Sequence, residues 1–260
     1  MEAIVYSLVI DVGNTLVNWR LRDGGGVSTE GHAPIGDLTA SLAKSPVLEI
    51  QPQQVAVSCL RPEHRSILEP ILGSLFQQCS SPSIFWIENG SAPQLSVATQ
   101  HPEKTGADRA LAALAWGGKN LARPAVIIDA GTAVTVDAVS PEGELLGGWI
   151  TPGWHSLHDS LRSAAPALPT ATGTVEVDGG WATDSEPAIG AGVDTFFRSG
   201  VMGLHRRVFE GLKIEFESDP ETVITGGDAH RLEGLIAGAR SIPNLVLDGL
   251  EAVLSREKQR

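Results

Sequence analysis

VIDVGNTLVNW, from Val9 to Trp19, begins as a buried β-strand and then sets a carboxylate, a glycine and two small polar side chains where that strand must turn. VIIDAGTAVTVDAV, Val126 to Val139, has the same plan: Asp11 superposes on Asp129, Gly13 on Gly131 and Asn14 on Thr132, with Gly24 near Gly143. A backbone that turns at a glycine directly after a buried strand presents several N–H groups and lets a bulky anion come close, where a Cβ would obstruct it. Asn14, Thr15 and Thr132 add side-chain donors. Asp11 and Asp129 would repel a phosphate unless a cation lay between, so the acids imply a metal beside the anion. One such turn alone is an aspartate capping an ordinary hairpin. Its repetition at the same place in both halves favours a polyphosphate gripped from two sides.

The rest of the chain narrows the class. Its 260 residues are 42% hydrophobic and 19% charged, which suits a soluble globular protein of one or two domains. The formal net charge of -12, without a local basic patch, argues against nucleic acid as a partner, because that binding rests on Lys and Arg neutralising phosphates. Cys59 and Cys79 are the only cysteines and lack zinc-ligand spacing, which suits a reducing cytosol. MEAIVYSLVIDVG has no basic first segment, and Asp11 interrupts it before any cleavage site. No window approaches the roughly 18 apolar residues of a membrane span. The expected location is the cytoplasm, with no membrane partner.

Ile4 to Ile10 reads as an internal strand, LVNWRLR as its hairpin partner, and Arg22 to Gly26 as the reversal that follows. A loose helix over Ile35 to Leu48, the strand Val55 to Leu60, a helix from Pro62 that Pro70 would bend, and the strand Ser83 to Ile87 complete a mixed α/β half. The second half restarts with a helix over Gly106 to Trp116. It continues with the strands AVIIDAG, TAVTVDAV and ELLGGWITPG, in the order of the first half. Ala188 to Arg207 and Ala229 to Ala239 are expected to be helical, with VIT before Gly226 and LVLDG (Leu245 to Gly249) as short strands. The expected lobes are 1–115 and 116–260.

In HPEKTGADRALAALAW, Thr105 or Gly106 begins the helix and places Asp108 and Arg109 in its first turn, where the helix dipole favours an ionised Asp108. His155 and His158 stand three apart but lack a third ligand within a turn, so they read as a polar helix face. Gly226 and Gly227 in ITGGDA offer bare backbone that can close over a nucleotide base or sugar.

DVGNT (11–15), TGADRA (105–110), IDAGTAVTVD (128–137), GGWITPG (147–153) and ITGGDA (224–229), in this order, resemble the type III pantothenate kinases, from Leu8 to about Ala229. The resemblance implies an actin-like ATPase fold: two duplicated ribonuclease H-like α/β lobes with an ATP cleft between them. It further implies ATP-dependent phosphorylation of pantothenate, the first step of coenzyme A biosynthesis, and a homodimer. Asp11 would orient the Mg²⁺-bound triphosphate; Gly13, Asn14 and Thr15 would contact its β and γ phosphates, with Gly131 and Thr132 as the second phosphate loop. Asp129 would hold a monovalent cation, K⁺ or NH₄⁺. Gly106, Ala107, Asp108 and Arg109 match the pantothenate-binding segment, with Asp108 as proton acceptor. Two positions depart from the family: Thr99 replaces a pocket tyrosine, and Ser185 replaces a substrate-touching threonine. Rival readings are a non-catalytic regulator of the same fold and a kinase for another small hydroxylated substrate.

Overall fold

Alternate residues of VIDV face two different cores, which makes their strand the centre of a sheet. The computed structural model describes residues 6–23, 26–76, 82–119, 122–171 and 180–257. Ile4 and Val5 at the start of the expected first strand, Gly24 and Gly25 of the expected reversal, and Cys79 lie outside the described residues. In chain order the elements begin β1 (Ser7–Val12), β2 (Val17–Asp23), β3 (Gly26–Ala33), α1 (Leu38–Ala43), α2 (Val47–Ile50), β4 (Gln54–Cys59), α3 (Pro62–Leu75), β5 (Ser83–Ile87) and α4 (Ala107–Gly117). There follow β6 (Ala125–Ala130), β7 (Ala133–Val139), β8 (Leu145–Pro152), α5 (Trp154–Ala164), α6 (Ser185–Phe216), β9 (Glu221–Thr225), β10 (Arg240–Ser241) and α7 (Leu245–Glu257).

Two compact units result, one of residues 1–122, 140–147 and 244–260, the other of 123–139 and 148–243. The expected division at 115/116 falls inside α4, and α7 is grouped with the first unit because α4 and α7 share one core. In the first unit the strand order is β3-β2-β1-β4-β5, with β2 antiparallel and β4 parallel to β1. Leu8, Ile10 and Val12 join Val55, Val57 and Cys59 under Leu38, Leu42, Leu68 and Leu72 of α1 and α3. Val9, Ala56 and Ile87 point the other way, into a core with Ala107, Leu111 and Leu114 of α4 and Leu247, Leu250 and Leu254 of α7. Helix α3 runs through Pro70 as a single element.

The second unit carries the sheet β10-β9-β6-β7-β8, with β7 antiparallel and β9 parallel to β6. Numbered from its own first strand, its order is that of the first unit, so the duplication read from the two D-x-G turns extends to both sheets. Long helix α6 packs on β6, β7 and α5, burying Phe197 and Val201, and it exceeds the expected Ala188–Arg207 at both ends.

Two expectations are corrected. LVLDG opens helix α7 rather than forming a strand; Leu245, Val246, Leu247 and Leu250 are all buried, and a short, fully apolar run has no periodicity to separate the two conformations. Ala229 to Ala239 is helical only as a 3₁₀ turn over Ala229–Leu232, and Gly234 and Gly238, both at positive φ, break it up.

One buried cation braces the first unit. Arg20 on β2 is 6% exposed, and its guanidinium meets Glu30 of β3, Asp248 of α7 at 2.7 Å and Glu251 of α7 at 3.3 Å. Removing it leaves three carboxylates crowded at the seam between sheet and helix. Arg20→Ala is expected to cost about 3 kcal/mol of stability, measured as a lowered urea midpoint with an unchanged slope.

Candidate active site

In the first unit the site begins where β1 leaves its core. Asp11 lies on the same side of the sheet as Val9, the side covered by α4, and is half-buried. Its in-register neighbours are Asn18 on β2 and Ser58 on β4. The turn that follows is closed by the Gly13 N–H donating to the Leu16 carbonyl at 3.0 Å, which leaves Asn14 and Thr15 exposed.

The signature segment is tied to the same sheet. Gly106 forms a bridge with Asn89, just beyond β5, and the Gly90 N–H donates to the Thr105 carbonyl at 2.9 Å. The Thr105 hydroxyl donates to the His101 carbonyl at 3.1 Å and lies 2.6 Å from the hydroxyl of Thr99. Thr99 therefore clasps the signature through a hydroxyl pair, a contact of a different kind from the aromatic wall expected of a tyrosine. Ala107 is fully buried and anchors the start of α4. Beside the segment lies a cavity of about 390 Å³ lined by Leu60, Glu88, Asn89, Lys104, Thr105 and Gly106.

Asp108 folds back on its own helix, with Oδ1 accepting the Arg109 N–H at 2.8 Å. Burial pushes its carboxyl above the ordinary aspartate range, opposed by that N–H and by the Arg109 charge. The helix start and Arg109 favour the ionised form, as expected from the sequence, but removal from water outweighs them. Gly106 makes the arrangement sterically feasible, since a Cβ there would overlap Asp108 Oδ1.

In the second unit, Asp129 occupies the matching place on β6, half-buried, flanked in register by Thr135 and Thr225. The Gly131-Thr132 turn is closed by the Gly131 N–H donating to the Ala133 carbonyl at 3.0 Å. It is braced on one side by α5, where the Gly153 N–H and the Ser156 hydroxyl donate to the Thr132 carbonyl at 3.0 and 2.6 Å. On the other side the Asp228 N–H donates to the Ala130 carbonyl at 2.9 Å. Gly226, at φ +92°, lies so close that a Cβ would overlap the Asp129 carboxylate, and Gly227 beside it is exposed. Ser185 stands exposed at the first residue of α6.

These turns fit a phosphate with its cation. The glycine N–H groups close the turns internally, so what the glycine gives a ligand at Gly131 is clearance. A Cβ there would meet nothing nearer than the Ala133 carbonyl at 3.7 Å, so the fold itself does not demand a bare Cα. The half-buried carboxylates beside the turns supply hard oxygen ligands of the kind Mg²⁺ takes.

His155 and His158 form no part of a three-ligand cluster among the described residues. His155 Nε2 is 3.8 Å from Asp228 Oδ1, and burial lowers the pKa of His158. Asp228 also pairs with Arg231 at 3.0 Å, and Arg231 lies over the Trp154 ring at 3.8 Å. Sequence reasoning missed Ser156, Asp228 and Arg231. Asp228 had a signal, its place in the ITGGDA block directly after the paired glycines.

The family model of type III pantothenate kinases matches residues 7–207. The chain belongs to this family. Curated type III pantothenate kinases similar to it include that of Dichelobacter nodosus, 30% identical and covering 97% of this chain and 99% of its own. That of Alkalilimnicola ehrlichii is 32% identical, covering 96% of this chain and 98% of its own. Among solved structures, a conserved Campylobacter jejuni protein described as a Baf family transcriptional activator superposes with a TM-score of 0.61 at 18% identity, covering 97% of this chain and all of its own. MreB5 of Spiroplasma citri bound to AMPPNP gives 0.53 at 13% identity, covering 98% and 97%. At such identities these structures bear on the fold alone, and they agree with the actin-like duplication of the two sheets.

A type III pantothenate kinase with Gly106→Ala keeps an allowed backbone, since φ there is -57°, but the new methyl displaces the Asp108 carboxylate. The expected result is a loss of about 10²-fold in kcat/KM with little change in Tm, measured by steady-state kinetics and thermal unfolding of the same preparation.

Proposed function

We propose that this chain transfers the γ-phosphoryl group of ATP to the 4′-hydroxyl of pantothenate, the first step towards coenzyme A. The observation that carries the reading is Asp108, held at the start of α4 on the sheet face that also bears Asp11, with its carboxyl raised by burial. Phosphoryl transfer through a loose transition state asks for positioning and charge neutralisation more than covalent help. Mg²⁺, when bound with ATP, supplies most of that neutralisation. Asp11 orients the metal-bound triphosphate, while Gly13, Asn14, Thr15, Gly131 and Thr132 receive its phosphates, and Gly226 and Gly227 the base or sugar. Asp129 holds a monovalent cation, K⁺ or NH₄⁺. Asp108 accepts the proton of the attacking hydroxyl, and a base whose pKa is raised towards neutrality is better matched to that transfer. Thr99, Gly106, Ala107 and Arg109 receive pantothenate, with Ser185 contributing a hydroxyl.

A homodimer is proposed as the working form, and the second unit offers large apolar side chains that support it. Trp181 and Ile214 are each 79% exposed and Phe196 67%. The cytoplasm is the proposed location; no described helix is long and apolar enough to cross a membrane.

The Thr99 hydroxyl pair favours a second reading, a kinase for another small hydroxylated substrate. Coupled ADP release with pantothenate and a panel of other alcohols, with and without K⁺, separates the readings: pantothenate-dependent ADP supports the first. ADP formed only with another alcohol supports the second. ATP binding without turnover supports a regulator.

Asp108→Asn is expected to lower turnover by about 10²- to 10⁴-fold while leaving ATP binding nearly intact. The same substitution is expected to raise Tm at neutral pH. Burial places the folded pKa above the ordinary 3.8, so the ionised carboxylate destabilises the fold increasingly as pH rises through the folded value. The Tm difference between parent and variant closes as pH falls towards 3.8, and the acid limb of kcat/KM in the parent lies above the ordinary aspartate range. Thermal unfolding and kinetics across a pH series check both.

A further inference from the structure

Ser58 sits near the end of β4 with 0% exposure, and its hydroxyl has no hydrogen-bond partner among the described residues. A buried hydroxyl left unpaired is unfavourable for folding, and alanine would fill the place at no such cost. Its surroundings indicate what the hydroxyl is for. Across the sheet the register row reads Asn18, Asp11, Ser58, Ile87. In-register residues of adjacent strands point to the same face, about 4.8 Å apart. Ser58 thus has a carboxylate on one side, an aliphatic chain on the other, and the core under α4 around Ala56, two residues earlier on the same face of β4.

The second unit repeats the arrangement independently. Its row reads Thr135, Asp129, Thr225, and Thr225 is likewise a buried hydroxyl residue, 3% exposed, at the position equivalent to Ser58. Each central acid therefore has a buried hydroxyl beside it on the parallel neighbouring strand. Residues chosen for packing alone in such a place would be aliphatic, as Val9 and Ala56 are, which pair with each other two residues earlier on the same face.

We propose that Ser58 is a positioning residue for Asp11, its hydroxyl donating to the Asp11 carboxylate when that group engages the Mg²⁺-bound triphosphate. The proposal rests on the assignment of Asp11 to the triphosphate. An aspartate at the mouth of a sheet has two rotatable side-chain bonds, and a donor fixed in the sheet beneath it limits the orientations it samples. The cost of an unpaired hydroxyl in the free protein is then recovered when nucleotide binds.

The test is binding of a non-hydrolysable ATP analogue to the full chain, followed by calorimetry across a Mg²⁺ series, for the parent, Ser58→Ala, Ser58→Thr and Asp11→Asn. Ser58→Ala is expected to raise the Mg²⁺ concentration for half-maximal binding about tenfold, with KM for pantothenate within twofold of the parent and Tm of the free protein unchanged or higher. Ser58→Thr, which installs the residue found at the equivalent place in the other unit, is expected to restore the Mg²⁺ dependence. If Asp11→Asn shifts the Mg²⁺ dependence and Ser58→Ala does not, the role of Ser58 is overturned while that of Asp11 stands. If neither shifts it, both fall. A large drop in Tm for Ser58→Ala at unchanged Mg²⁺ dependence assigns Ser58 to packing and also overturns the proposal. Ser58→Cys, close in shape and a weaker donor, repeats the comparison should the alanine variant fold poorly.

Discussion

A strand buried on both faces can carry a charge only where its covering layers end, and both sheets obey that constraint. In β1, Leu8, Val9, Ile10 and Val12 are essentially inaccessible, and after the opening Ser7 it is Asp11, next to last, that reaches the surface in part. In β6, Val126, Ile127, Ile128 and Ala130 are buried and Asp129 holds the same place. The site chemistry is therefore confined to the carboxyl ends of the parallel strands, where α/β sheets generally receive ligands. The turns, the start of α4 and the loop after β9 gather at those ends within their own units.

Competing electrostatic effects decide the character of Asp108. A helix start and a neighbouring guanidinium draw it towards the charged form, whereas removal from water draws it towards the neutral one, and the second effect is larger. A carboxyl balanced in this way holds a proton more readily than a surface aspartate, which suits the proposed role of taking one from an alcohol. Gly106 matters to the same balance by sterics alone, because the carboxylate can fold onto its helix only over a residue without a side chain.

Much of this was legible in the sequence. The repeated D-x-G turn predicted the duplicated sheets, and the run from His101 to Trp116 predicted where α4 starts, since strand alternation and helix caps are local signals. What escaped depended on partners distant in sequence. LVLDG became helix because α4 offered a hydrophobic surface that nearby residues do not reveal. The raised Asp108 depends on a desolvated environment that no spacing encodes. Ser58, in the middle of VAVSCL, looked like an ordinary strand residue until the register set it beside Asp11.

Helix α7 has a bearing on how the protein is made. It supplies Leu247, Leu250, Val253 and Leu254 to the core that backs Asp11 and Asp108, yet its residues are translated after the whole of the second unit. During synthesis the second unit has all of its own segments in hand by residue 243, whereas the first unit lacks α7's share of the helical layer over one face of its sheet, where α4 supplies the rest, until residues 245–257 have emerged from the ribosome. The order of completion is thus the reverse of the order of translation. Until then part of that apolar face stays exposed, and Asp11 and Asp108 gain their final surroundings only once α7 has packed against α4.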